Sequence, residues 1–186
     1  MAARPATALP VHRLDLDTYN HIVASGALDG QRVELLDGAI VDMSPQSPGH
    51  AVVIEALTAH FASAAGRLRV QLPLEAPPDS EPEPDLALVE EPATSGRHPR
   101  SAVLVVEVAV SSQPIDRGVK ARLYARAGIA LYWMIDVPAK AVEVHTQPLE
   151  QGYSRVDVYR HGEIVPCPLA GVGDLDIAAL LAVVGD

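Results

Sequence analysis

Ala102-Val103-Leu104-Val105-Val106-Glu107-Val108-Ala109-Val110 is an apolar, largely β-branched run with one carboxylate in its middle. Its composition predicts a strand buried on both faces, the central strand of a sheet covered by helices. An isolated ionised carboxylate in that position costs several kcal/mol, or its pKa moves strongly upward. Glu107 therefore needs a partner: a cation, a shell of hydrogen bonds, or a metal ion. Three other stretches offer one. They hold Glu34 in Arg32-Val33-Glu34-Leu35-Leu36-Asp37-Gly38, Asp85 in Glu81-Pro82-Glu83-Pro84-Asp85, and Lys120 in Asp116-Arg117-Gly118-Val119-Lys120. The four are read as one metal-dependent site.

Working outward, Asp37-Gly38 between two apolar runs is a strong hairpin signal and places Glu34 on its first strand. Leu14 to Tyr19 opens a short helix capped by Asp15 or Asp17. A second helix is expected from about His50 to Ala65, with Val53, Ile54, Leu57, Phe61 and Ala64 on its apolar face. His50 projects onto that face. A histidine at a helix start is more often a packing or capping group, yet its inward position keeps it at the edge of the site. Arg67 to Leu74 alternates as a strand, and the proline-rich segment from Pro73 to Pro84 must be a turn or edge connection. That segment delivers Asp85 to the apolar strand Leu86 to Val89.

Beyond Val110 the expected elements are a helix from Asp116 to Ala127 and a strand from Leu131 to Val137. On that helix Asp116, Arg117, Lys120 and Tyr124 share a face, while Arg122 and Arg126 point nearly opposite and are read as solvated. Val142 to His145 and Ser154 to Tyr159 alternate as an antiparallel, half-exposed extension. A short helix from Ile177 to Val184 closes the chain.

The 186 residues fit one domain with a sizeable core, and 48% apolar composition excludes global disorder. A lone cysteine, Cys167, excludes a disulfide framework and a cysteine-based zinc site. It fits a reducing cytoplasm, which is the expected location, and no stretch is apolar for long enough to span a membrane. The net charge of −10 argues against wholesale coating of nucleic acid, without excluding a locally basic cleft.

Hard divalent cations such as Mg²⁺ or Mn²⁺ prefer oxygen ligands and are often held by one or two carboxylates plus phosphate oxygens. Asp85 and Glu107 supply such a pair if their strands are adjacent, and Glu34 completes the set or positions water. A nearby lysine favours deprotonated water and stabilises charge on phosphate. Each residue alone has a plainer account. Asp85 serves equally as a turn acid, Glu34 as an exposed strand residue, and Lys120 as a neutralising partner for Glu107.

In this order, however, the motifs resemble the PD-(D/E)xK nuclease superfamily and, within it, the Uma-two family of restriction endonucleases. The resemblance runs from about Leu14 to Val165. It rests on Val33 to Gly38, Met43-Ser44-Pro45 through His50, Pro82 to Ala87, Val105 to Val108, Asp116 to Lys120, Leu123 to Ile129 and Tyr132 to Asp136. It implies an α/β (α+β) fold: a mixed sheet flanked by helices, with an antiparallel C-terminal extension. Residues 12–186 would form that single domain after a flexible segment over 1–11. It also implies Asp85 and Glu107 as metal ligands, Glu34 as the auxiliary acid and Lys120 as the catalytic lysine. The superfamily's usual lysine, two residues after the glutamate, is replaced by Ala109, and Lys120 on the following helix takes its place. DNA is the implied substrate and Mg²⁺ or Mn²⁺ the cofactor. Edge strands in the C-terminal half suggest a homodimer. The rival expectation is a catalytically silent module in which Lys120 and Glu107 form a buried ion pair. A serine hydrolase is a poor third reading, because no Gly-x-Ser-x-Gly elbow occurs.

Overall fold

The computed structural model describes residues 10–64, 66–90 and 96–184. Most of the N-terminal segment expected to be flexible, and Ala65 at the expected end of the second helix, lie outside the described residues. Asp15 caps the first helix, α1 (Leu16–Ala24), by accepting from the Thr18 N–H at 2.7 Å. The hairpin β1 (Val33–Leu36) and β2 (Ala39–Asp42) turns at Asp37 and Gly38, with φ of 48° and 73°. These are the positive values that a two-residue turn of this kind requires. Ser47 caps α2 (Pro48–His60), which begins two residues earlier than its apolar pattern implied because proline suits the first helical turn.

The main sheet runs β3 (Leu68–Val70), β4 (Leu86–Val89), β5 (Ala102–Ala109), β6 (Leu131–Asp136), β7 (Ala141–Leu149) and β8 (Gly152–Arg160) in that spatial order. The pair β5–β6 is parallel and the others are antiparallel. Between β5 and β6 the chain crosses over through α3 (Gln113–Ile115), a π-helical turn (Asp116–Lys120) and α4 (Ala121–Arg126). After β8 come the short pair β9 (Ile164–Val165) and β10 (Leu175–Asp176), and then α5 (Ile177–Leu181). Among the described residues no helix is long and apolar enough to cross a membrane.

β5 is buried on both faces, as its sequence requires. Leu104, Val106 and Val108 pack with Val53 and Leu57 of α2, with Phe61 at its C-terminal cap and with Ile177 of α5. Val105 and Ala109 face the opposite way, into a cluster with Ala121 and Tyr124 of α4 and Tyr132 and Met134 of β6. Burying each valine or leucine here contributes about 1.5–3 kcal/mol before the entropy of ordering it. By the alternation of a strand, Glu107 lies on the same side as Val105 and Ala109. That places it beneath α4.

Three expectations need correction. β3 is only three residues long, because Gln71 takes φ of 49° and ends the pairing expected to reach Leu74. The helix expected from Asp116 starts at Gln113 and widens into a π turn, so Lys120 projects from an irregular segment. Arg122 and Arg126 are not free in solvent. Arg122 pairs with Asp37 of the hairpin turn, and Arg126 donates to Asp79 at 2.6 Å and lies 3.5 Å from Asp37. Together they fasten α4 to the hairpin and to the proline-rich segment.

Candidate functional site

The register of β4 on β5 sets Leu86 opposite Val106, and continuing it by one residue sets Asp85 against Glu107. The two carboxylates therefore share a face at one end of the sheet. Asp85 is held twice through Oδ2: the Val108 N–H donates to it at 2.8 Å, and His50 Nε2 lies 3.0 Å away. The cap at Ser47 thus has a consequence at the site, since it fixes the helix turn that carries His50.

Glu34 arrives from the hairpin, which lies outside the main sheet and is tied to the proline-rich segment by the Leu35–Glu81 bridge. Its Oε2 accepts from the Glu83 N–H at 3.1 Å and lies 3.3 Å from Lys120 Nζ. Lys120 Nζ also donates to Glu107 Oε1 at 3.1 Å, and the Tyr124 hydroxyl donates to the same oxygen at 2.6 Å. Asp116, one π turn before Lys120, accepts from Ser112 Oγ at 2.5 Å. Glu34, His50, Asp85, Glu107, Asp116 and Lys120 all line one cleft with a volume of about 170 Å³. All five residues expected at the site are therefore brought together.

Four buried carboxylates here face one lysine and one histidine, and the electrostatics follow from that imbalance. Burial raises the Glu107 pKa well above the ordinary range; Asp85 and Asp116 add to the rise, while Lys120 and Tyr124 oppose it. For Lys120 burial acts to remove the proton, but Glu107, Glu34 and Asp116 together outweigh it and keep the group an ammonium. Asp116 is likewise raised, first by burial, with the Ser112 hydrogen bond opposing. Among the described residues no three His, Cys, Asp or Glu side chains are gathered tightly enough to cage a metal, and the Lys120 ammonium stands between Glu34 and Glu107.

Sequence reasoning put Tyr124 on the Lys120 face but gave it no role, and it treated Asp116 in the same way. The spacing Asp116, Lys120, Tyr124 was the available signal, since residues four apart meet on one helix face.

A family model described as "Putative restriction endonuclease" matches residues 16–179. A search of curated proteins gave no match. Among solved structures, the chain is similar to a "putative nuclease belonging to DUF820" from Anabaena variabilis ATCC 29413, with a TM-score of 0.67 and 16% identity. The likeness covers 82% of this chain and 90% of that one, and at this identity it speaks for the fold.

Proposed function

The chain belongs to the Uma2 family, described as "Putative restriction endonuclease", and from that premise we propose that it is a divalent-cation-dependent endonuclease that hydrolyses phosphodiester bonds in DNA. The observation that carries the reading is the convergence of Glu34, Asp85, Glu107 and Lys120 on one cleft from four separate segments.

The donor set fits a hard cation such as Mg²⁺ or Mn²⁺. Asp85 and Glu107 offer adjacent carboxylate oxygens, and a cation entering beside them would offset the burial, and the smaller repulsion from Asp85, that disfavour charge on Glu107. When bound, such an ion polarises a phosphoryl oxygen and makes water a better nucleophile at neutral pH. The protein's own residues do the rest. His50 and the Val108 N–H fix the orientation of Asp85. Glu34, held by the Glu83 N–H, is placed to orient the attacking water. Lys120 offers a fixed positive charge to the oxygens on which negative charge develops during displacement at phosphorus. Tyr124 holds the Glu107 carboxyl in position beneath it.

One observation favours the rival reading, a silent nuclease-fold module: Lys120 already satisfies two carboxylates, as a purely structural ion pair would. The test is incubation of supercoiled plasmid, and of an RNA of similar length, with Mg²⁺, Mn²⁺ or chelator. Cation-dependent nicking of DNA, lost in Asp85→Asn and Glu107→Gln, is expected. Failure to nick either polymer, together with no heat of Mn²⁺ binding, would favour the silent module.

A further inference from the structure

A second groove, about 650 Å³ in volume, lies between α1 and the segments around β3. Asp17, Asn20 and His21 line one side, and Arg69, Glu75, Arg97 and His98 line the other. The charges are unevenly satisfied. Arg100 at 2.6 Å and Arg97 at 3.8 Å already answer the Glu75 carboxylate. Arg69 has no carboxylate within ion-pair distance among the described residues. Its terminal nitrogen donates to the Pro73 carbonyl at 3.3 Å, and its buried Nε has no partner among the described residues. Burial pulls the Arg69 pKa down, and burial with Arg69 close by holds that of His98 down. A guanidinium nevertheless stays charged throughout the ordinary pH range. Among the described residues Arg69 is thus a half-buried cation that lines the groove without a counter-ion, which suits it to receive an anion.

The position of Arg69 says which anion. It pairs with Ala87 across β3 and β4, and Ala87 and Val105 belong to the apolar cluster on the Glu107 side of the sheet. Two residues on, Gln71 lines the first cleft and donates its N–H to the Asp85 carbonyl at 3.0 Å. The rise of a strand puts Arg69 roughly 7 Å from Gln71. A polyanion entering the cleft beside Gln71 therefore passes close to Arg69.

We infer that this groove seats a backbone phosphodiester of the same nucleic acid that enters the catalytic cleft, with Arg69 as the principal contact and Arg97 as a flanking one. The inference rests on the nuclease reading for its ligand, but it is read out separately, by binding.

The experiment is fluorescence anisotropy of a 20-base-pair duplex on the uncleaving Glu107→Gln protein, across a salt series. Arg69→Gln should weaken binding about tenfold at low salt and lower the slope of log affinity against log salt by about one, because one phosphate contact is lost. Arg69→Lys should keep most of the slope. Arg155→Gln, at an exposed position on the far edge strand, should change neither quantity. In protein with an intact site, Arg69→Gln should raise KM and leave kcat within about twofold. If Arg69→Gln folds poorly, Arg97→Gln reports a smaller loss of the same sign. Unchanged affinity and slope in both arginine variants would overturn the groove while leaving cleavage standing. Arginine-dependent duplex binding by a wild-type protein that nicks nothing would support the groove and remove the nuclease. Binding of polyglutamate in preference to duplex would overturn it in favour of an acidic protein partner.

Discussion

Glu81→Gln should stabilise the protein, and only above a definable pH. Glu81 sits in the proline-rich segment with its backbone tied to Leu35, and its Oε2 is buried without a hydrogen-bond partner among the described residues. Burial, with the Glu75 carboxylate adding to it, raises its pKa from 4.5 to about 7. The unfolded chain releases this proton near the ordinary carboxylate value, and the folded chain holds it until about pH 7. Between those values the folded state binds more protons, so stability falls as pH rises. At about 1.4 kcal/mol per pH unit the full cost above pH 7 is about 3 kcal/mol, and water that still reaches the carboxyl reduces it to about 2. Glutamine carries no charge and escapes the cost. For a chain of this size, about 2 kcal/mol is a melting-temperature gain of roughly 4–8 °C. Scanning calorimetry of wild type and Glu81→Gln from pH 4.5 to 8.5 should show curves that coincide at the acid end and separate towards pH 8. A gain that did not change with pH, or a loss at pH 8, would refute the reasoning.

Two further substitutions test how the hairpin and α4 are fixed. Arg126→Ala removes a partly buried ion pair to Asp79 and its weaker contact with Asp37, and should lower stability by about 1–2 kcal/mol in urea denaturation. An unchanged midpoint would make the clamp decorative. Gly38→Ala places a Cβ 2.6 Å from Arg13 Cβ and 2.8 Å from the Leu14 carbonyl oxygen, on a backbone with φ of 73°. It should cost about 1–3 kcal/mol, read in the same assay.

Local signals carried much of this architecture. The apolar run around Glu107 announced a strand buried on both faces, and Asp37-Gly38 announced the hairpin that carries Glu34. Asp85 was legible because proline precedes it and an apolar strand follows it. What was not legible depends on distance along the chain. The partners of Arg122 and Arg126 stand 85 and 47 residues away, so a helix face that looks solvated in isolation turns out to be a fastening. The π turn at Asp116–Lys120 leaves no periodicity to detect in five residues. The early end of β3 is a backbone event at Gln71, a residue type that does not announce a positive φ. The bridging of Glu34 and Glu107 by one ammonium likewise needs the crossover geometry, since the hairpin, β5 and the segment carrying Lys120 are separate in sequence.

The central claim is that Lys120 serves chemistry as well as neutralising its neighbours, and Lys120→Met tests it most directly. The measurement is plasmid nicking with Mn²⁺ at pH 7.5, beside the melting temperature of the same samples. Loss of the ammonium leaves Glu107 and Glu34 without their cation, but Glu107 has a raised pKa and can take up a proton instead, which limits the damage to folding. The account predicts a rate about 100-fold lower or worse, with Mn²⁺ affinity within about threefold of wild type and a folded protein at assay temperature. Lys120→Arg should also be impaired, because the guanidinium is larger and planar and does not readily give up a proton, unlike the compact ammonium it replaces. A collapse in melting temperature that Mn²⁺ does not restore, with cleavage falling only in proportion to the folded fraction, would contradict it and leave Lys120 as a structural ion pair.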